Sequence, residues 1–169
     1  MAKLWQTKST KLHPLVEKYT VGNDFILDTR LLPFDIQASK AHAAALVKAK
    51  ILTPAEQKKL TKGLNEILFL HNQGKFTIKQ SDEDCHTAIE NYLVAKLGDL
   101  GKKIHTCRSR NDQVLVATRL YTRKKLKQGS FELIKMQNVF LKMAKKYEFL
   151  PMPGYTHTRR AMPSSIGHW

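Results

Sequence analysis

The chain has 169 residues, of which 42% are hydrophobic and 25% are charged, with only 8 glycines and 6 prolines. These fractions are typical of a soluble globular chain, and they exclude a collagen-like or broadly disordered one. The apolar runs are short, as at residues 67–70, whereas a membrane-spanning helix needs roughly 18 apolar residues.

The N-terminus carries positive charge without an apolar stretch behind it, so we expect no secretory signal. The two cysteines, Cys85 and Cys107, are too few for a disulfide framework and lack the spacing of a zinc site. We therefore expect a cytoplasmic protein with free thiols, no metal and no membrane association.

The net charge of +15 is unevenly distributed along the chain. Residues 1–100 contain 14 Lys and Arg against 11 Asp and Glu, whereas residues 101–169 contain 15 against 3. Such a basic half is found in nucleic-acid-binding surfaces and in pockets for polyanionic small molecules. Lysines on a solvated helix face are the simpler explanation.

Three helices are predicted in the first 100 residues. Apolar side chains recur at helical spacing over residues 35–49. The sequence Thr-Pro-Ala-Glu at residues 53–56 is a capping box with proline at the first helical position, and Gly74 follows as a stop signal. A third helix is predicted from about Ser81, where acidic residues suit the helix dipole, to Gly98.

A long helix is predicted from Ser109 to Tyr147, a stretch without proline that only Gly129 interrupts. Its second half carries a heptad stripe formed by Leu133, Met136, Phe140, Met143 and Tyr147. The other residues are too few to cover so long a helix. The stripe therefore predicts a helical bundle completed by partners outside this chain.

The C-terminal residues read as a loop at Pro151–His157 followed by the opening of a further helix at Pro163–Trp169. Because domains rarely end on the first turn of an element, we expect a fragment of a longer protein. The fold class we predict is all-α. An N-terminal helical domain covers residues 1–108, and the first part of a long-helix bundle domain covers residues 109–169.

Three polar clusters could carry chemistry. In residues 81–87 three acids precede His86, and this pattern alone favours helix capping with a surface histidine. In residues 105–113, Arg108 and Arg110 flank the start of the long helix. Forked guanidinium groups beside free backbone N–H groups suit a carboxylate ligand, although a helix cap with solvated arginines fits equally well.

The third cluster, residues 154–160, places His157 beside Thr156 in a loop. Histidine titrates near neutral pH and suits proton transfer, although a lone loop histidine is more often structural or exposed. The chain has no glycine-rich phosphate motif, no zinc-protease motif and no serine-hydrolase elbow. A site here would work by positioning and proton transfer, without a cofactor.

Four segments together resemble the argininosuccinate lyase family of the aspartase/fumarase superfamily. They are residues 28–42, 82–90, 101–114 and 153–157. The string His-Thr-Cys-Arg-Ser-Arg-Asn-Asp-Gln at residues 105–113 is the most specific of them. It distinguishes this family from the related fumarases, aspartases and adenylosuccinate lyases.

The resemblance implies a reversible β-elimination of argininosuccinate to arginine and fumarate, the closing step of arginine biosynthesis. It implies a catalytic role in proton transfer for His157. It also implies contacts to the substrate or its pocket for His86, Ser109, Arg110, Asn111 and Thr156. Asp24 stands where many members have a substrate-contacting serine, and an acid there could meet the cationic end of the substrate.

The family site is built from three subunits of a homotetramer, and the long helices form a shared bundle. The loop that carries the catalytic serine in this family comes later in the chain and is not among these residues. We therefore expect this chain alone to be inactive. Smaller departures are Cys107 in place of a usual glycine and Thr158-Arg159 in place of Leu-Gln.

Two other functions remain as alternatives to the enzyme. One is a basic nucleic-acid-binding module that uses the lysines of the long helix, although no interleaved aromatic residues are available for base stacking. The other is a non-catalytic structural relative that shares the lyase fold.

Overall fold

A computed structural model describes residues 13–169, apart from the side chains of Pro14, Glu17 and Lys18. The expectation of no secretory signal concerns residues outside this range. The chain divides into two compact units, the first ending at Tyr121 and the second running from Thr122 to Trp169. The predicted domain boundary at residue 108 stays a prediction.

Within the described residues the first unit is helical throughout. Its helices are α1 (Pro14–Val21), α2 (Asp24–Leu27), α3 (Leu32–Lys48), α4 (Pro54–Asn72), α5 (Cys85–Leu97), α6 (Asp99–Lys102) and the beginning of α7 (Arg110–Lys146). One-turn 3-10 helices lie at Asp28–Arg30, Gln80–Asp82 and Lys103–His105. The second unit contains the rest of α7 and a hairpin of β1 (Pro151–Thr156) and β2 (Arg159–Ser165). The helical fold class is confirmed.

The core of the first unit lies between α3, α4 and α5. The large apolar side chains that are fully buried there are Leu32, Ile36, Leu60, Leu64, Ile67 and Leu93. On α3 and α4 they recur at helical spacing, so each helix turns one apolar stripe towards the others. This packing fixes the α5 start relative to α3.

The start of α4 confirms the predicted capping box. The Glu56 N–H donates to Thr53 Oγ1 at 3.2 Å, and the Thr53 N–H donates to Glu56 Oε2 at 2.8 Å. The predicted stop signals are also confirmed, because Gly74 and Gly98 follow the ends of α4 and α5 with φ of 69° and 61°. Left-handed backbone of this kind favours glycine.

The predicted start of the third helix at Ser81 is wrong by several residues. A 3-10 turn at Gln80–Asp82 comes first, and α5 begins at Cys85. The reason is Glu83, whose φ of 69° is incompatible with a continuous right-handed helix.

The long helix is confirmed almost to the residue, since α7 spans Arg110–Lys146 and passes through Gly129 without a break. At 1.5 Å per residue it is about 55 Å long. None of the helices in the described range combines the length and apolarity that crossing a membrane would demand.

The C-terminal prediction of a loop and then a helix is wrong, because the two segments pair as an antiparallel hairpin. Met152 lies opposite Ser164, and Thr156 lies opposite Arg159. Both strands are edges, where proline is tolerated because no partner needs its missing N–H. The two turn residues, His157 and Thr158, have φ of 49° and 64°. Positive values at both positions are those of a type I′ turn, whose twist matches a hairpin.

Candidate active site

The start of α7 is a second capping box, formed by Ser109 and Asp112. The Ser109 N–H donates to Asp112 Oδ2 at 2.8 Å, and the Asp112 N–H donates to Ser109 Oγ at 3.4 Å. Hydrogen bonds from the Ser109 backbone and hydroxyl lower the pKa of Asp112. This cap fixes the backbone on which Arg110 and Asn111 begin the helix.

Arg110 is held by the segment just before and within the first turn of α5. Its Nε lies 3.1 Å from Asp84 Oδ2, and its Nη1 lies 3.6 Å from Glu83 Oε2. Its Nη2 donates to Thr87 Oγ1. We call Glu83, Asp84 and Thr87 the Arg110 cradle. A guanidinium has five N–H donors, so the cradle leaves donors on both terminal nitrogens for a further acceptor.

Asp84 also caps α5, because its Oδ1 accepts from the Thr87 N–H at 2.8 Å and from the Thr87 hydroxyl at 3.0 Å. Asp28 supports the same turn from another element, since its Oδ2 accepts from the Cys85 N–H at 3.0 Å. Two carboxylates therefore neutralise the positive end of this helix.

His86 belongs to the same turn but points inward, so the expectation of a surface histidine is wrong. Its side chain is buried, and its Nδ1 lies 3.0 Å from Oδ2 of the fully buried Asp35. Burial alone would lower the pKa of His86. The hydrogen bond and charge of Asp35, with help from Asp84 and Asp28, outweigh burial and raise the pKa above its ordinary value.

Arg108 is tied to α3 and to the loop before α7. Its Nη1 donates to Ser39 Oγ at 3.3 Å, and its Nη2 donates to the Ile104 carbonyl at 2.8 Å. Ser39 in turn lies 3.5 Å from Asp35 Oδ1. Burial lowers the pKa of Arg108, although the charge of Asp35 opposes this. Arg108 is thus a structural arginine, unlike its neighbour Arg110.

The remaining candidates are all exposed. Asn111 is exposed on the first turn of α7, and Asp24 is exposed at the start of α2. In the second unit, Thr156 ends β1 and His157 is the first residue of the hairpin turn. His157 is exposed, and its carbonyl accepts from the Thr158 hydroxyl at 2.6 Å. Their substrate roles stay predictions.

One group of side chains in the described part of the chain has the composition of a metal site. Ligand atoms of Asp28, Cys85 and His86 lie within 4.8 Å of one another. However, burial and the neighbouring carboxylates strongly raise the pKa of the Cys85 thiol, which keeps it protonated. Asp28 already accepts a backbone hydrogen bond. The arrangement is accounted for by helix capping and an ion pair.

Sequence reasoning missed the acidic residues that organise the cluster. Asp35 lies on the buried stripe of α3 between Leu32 and Ile36, and an acid on an apolar stripe is a signal of a buried partner. Glu83 and Asp84 were interpreted only as dipole partners of a helix. Their contact with Arg110 depends on the packing of distant segments, which no local pattern reveals.

A family model described as lyase matches residues 8–169. The chain belongs to the lyase family. This finding agrees with the helical fold and with a capped, cation-rich start to the long helix. It does not favour the alternative of a nucleic-acid-binding module.

Curated argininosuccinate lyases are similar to this chain over nearly its whole length, which confirms the resemblance. The protein of Thermotoga neapolitana is 48% identical over 167 residues, which is 99% of this chain and 42% of that protein. The protein of Sorangium cellulosum is 45% identical over 90% of this chain and 35% of its own length. The chain thus spans about two-fifths of the length of these relatives.

Solved structures share the fold at lower sequence identity. An EDDS lyase variant with bound fumarate has a TM-score of 0.70 and 24% identity, over 95% of this chain and 31% of that one. A fumarate lyase, also described as delta crystallin, from Brucella melitensis has a TM-score of 0.70 and 18% identity, over 90% of this chain and 38% of that one. These likenesses support the fold alone.

Proposed function

We propose that the chain is the N-terminal part of an argininosuccinate lyase, which reversibly cleaves argininosuccinate to arginine and fumarate. The observation that carries the proposal is Arg110, oriented at the start of α7 by its cradle with guanidinium donors left over. The similarity to curated argininosuccinate lyases supports the choice of substrate.

The chemistry needs groups that stabilise a carboxylate. A base removes a proton from the carbon next to one substrate carboxylate, and negative charge builds up on that carboxylate. The electron pair then forms the C=C bond of fumarate as the C–N bond to the guanidine breaks, and the departing nitrogen takes a proton. Arg110 and Asn111, at the positive end of α7, suit the stabilisation of this carboxylate, and the Ser109 hydroxyl would turn from Asp112 to the substrate.

Proton transfer falls to His157, with Thr156 beside it as a substrate contact. Histidine can accept or donate a proton near neutral pH. The hairpin turn holds His157 on left-handed backbone, and the residue is exposed. In this proposal Asp24 meets the cationic end of the substrate, and His86 supports the pocket from within.

The full-length lyase is proposed to be a cytoplasmic homotetramer that needs no cofactor. The apolar face of α7 supports assembly, because Leu133, Met136 and Phe140 are each more than half exposed. A bundle of long helices would bury that face. Residues 1–108 would form the N-terminal domain and residues 109–169 the beginning of the bundle.

A chimera tests the function. Residues 1–169 are joined to the part of the Thermotoga neapolitana protein that follows the matched region, and fumarate release from argininosuccinate is followed by its ultraviolet absorbance. We expect turnover by the chimera and none by residues 1–169 alone. The unmodified Thermotoga protein, assayed at the same temperature, is the control. A chimera that assembles like this control but releases no fumarate would refute the proposal.

A further inference from the structure

The first turn of α5 makes contacts on two sides. On one side, Asp84 and Thr87 hold the Arg110 guanidinium. On the other side, Cys85 and His86 are buried against α3 and the 3-10 helix at Asp28–Arg30. Whatever fixes the buried side therefore also fixes the side that holds Arg110.

The buried side is attached to α3 by the contact between Asp35 and His86. Both side chains are almost wholly inaccessible, at 1% and 2% exposure, and the two atoms lie 3.0 Å apart. Water therefore does not compete for the pair, and its attraction is screened much less than that of a surface pair. The Ser39 hydroxyl lies 3.5 Å from the other oxygen of Asp35 and accepts from Arg108 at 3.3 Å, which helps to fix the carboxylate.

We propose that Asp35 is a positioning residue for Arg110, acting through His86 and the first turn of α5. The proposal rests on the proposed function, in which Arg110 binds a substrate carboxylate. Asp35 itself is buried and does not touch substrate. An arginine held in its binding orientation loses less conformational freedom when the ligand arrives, so the ligand binds more tightly.

The pH dependence of substrate binding should show whether the contact between Asp35 and His86 positions Arg110. The groups around His86 are Asp35 from α3, Asp28 from the 3-10 helix, and Asp84 and Cys85 from the start of α5, while Arg108 faces Asp35 through Ser39. Because Asp35 raises the pKa of His86 above 6.5, the ion pair is complete below that value. The pair is lost as the pH rises through the raised pKa, and Arg110 should then be held less firmly.

The experiment uses the chimera with Asp35→Asn, which keeps the shape of the side chain and removes its charge. We expect the KM for argininosuccinate to rise about tenfold. A guanidinium displaced by a fraction of an ångström no longer forms both of its hydrogen bonds to the substrate carboxylate. We expect a smaller fall in kcat, of about threefold, because Arg110 binds the carboxylate in bound substrate and binds it more strongly as charge builds up in the transition state. The alkaline rise in KM should move to lower pH.

Asp99→Asn is the matched control, since it makes the same substitution at an exposed residue of α6 that pairs with Lys102 and leaves the Asp35–His86 pair intact. We expect its KM and pH profile to match those of the unsubstituted chimera. A folded Asp35→Asn chimera with unchanged KM and pH profile would overturn the proposal. If Asp35→Asn fails to fold, a KM of the unsubstituted chimera that stays flat up to the alkaline limit of its folded state would overturn it, because the pair is lost once the pH passes the raised pKa of His86.

Hydrogen exchange separates this inference from the proposed function. Even in a chimera without turnover, Asp35→Asn should speed amide exchange at residues 84–90 and 108–113, while the middle of α4 is unaffected. Asp99→Asn should leave exchange at residues 84–90 unchanged. Absence of turnover in the unsubstituted chimera would count against the function alone, whereas unchanged exchange in Asp35→Asn would count against the positioning role.

Discussion

The two units of the chain differ in how their apolar residues are used. The first unit buries its large apolar side chains between α3, α4 and α5, and α4 and α5 begin with hydrogen-bonded caps. In the second unit no residue is buried, and apolar side chains such as Phe131, Leu133 and Phe140 are more than half exposed. The first unit can thus be explained from its own residues. The second has the apolar surface of an element that packs on partners.

The charged site shows the same contrast. In the first unit Arg110, Asp84, His86 and Asp35 are linked by contacts within one packed body. In the second unit His157 and Thr158 sit on a strained turn, with a β-branched residue in the left-handed region. Strain of this kind is common where a turn has a functional task. In the proposed function residues of both units take part, although only the first unit buries a core of its own.

Truncating a core residue should give the largest difference in stability between the two units. We expect Leu64→Ala, in a side chain with no exposure, to lower the free energy of unfolding of the first unit by about 2–5 kcal/mol. The measure is native-state hydrogen exchange of the slowest amides in α4 of the chimera. Phe140→Ala is the counterpart in the second unit. It should weaken tetramer assembly in sedimentation experiments and leave amide exchange in α4 unchanged. If Phe140→Ala speeds exchange in α4 as much as Leu64→Ala does, the proposed difference between the two units is wrong.

Removal of a helix cap should have a smaller effect, again confined to the first unit. Thr53→Ala deletes the hydroxyl that accepts from the Glu56 N–H and should cost about 1 kcal/mol of unfolding free energy. Ser130→Ala, in the exposed middle of α7, is the control and should change stability by less than about 0.5 kcal/mol. A loss of similar size at both positions would show that the cap adds nothing specific.

Cys107 offers a stabilising change. Its φ of 58° lies in the left-handed region, where a side chain costs roughly 1–2 kcal/mol. Cys107→Gly should therefore raise the unfolding free energy by about 1 kcal/mol after the greater flexibility of glycine in the unfolded chain is subtracted. Thr106→Gly, one residue earlier with φ of −54°, should instead destabilise. If both substitutions destabilise, the backbone at Cys107 is not strained.

The smallest expected effect is the pH dependence contributed by Glu56. Hydrogen bonds from Lys103 and Thr53 lower the pKa of Glu56 to about 2. Because the folded-state pKa lies below the unfolded value, the stabilisation is present above about pH 4.5 and is lost as the pH falls towards 2. Glu56→Gln should flatten the stability profile in this window. An unchanged acid limb of the profile would contradict the assignment.

Local rules predicted the features that depend on neighbouring residues. The capping box at Thr53 and Glu56 follows from four adjacent residues, and the extent of α7 follows from apolar periodicity without proline. The hairpin was missed because its turn is His157-Thr158 rather than a pair containing asparagine or glycine, the usual signal of a type I′ turn.

The charged site was predictable only in part. The resemblance singled out Ser109, Arg110 and Asn111, but it did not reveal that Asp112 caps the helix or that Asp84 orients the guanidinium. The burial of His86 depends on Asp35, a residue from a different helix. Such contacts arise from tertiary packing and have no local signature.

Binding of fumarate to the chimera tests the central claim, that Arg110, held by its cradle, binds a substrate carboxylate. Isothermal titration should show fumarate binding that weakens about tenfold or more in Arg110→Gln, since forked hydrogen bonds to the carboxylate are lost. Arg119→Gln, at an exposed arginine further along α7, should bind as the unsubstituted chimera does. Equal affinity in all three proteins, with the fold intact, would contradict the account.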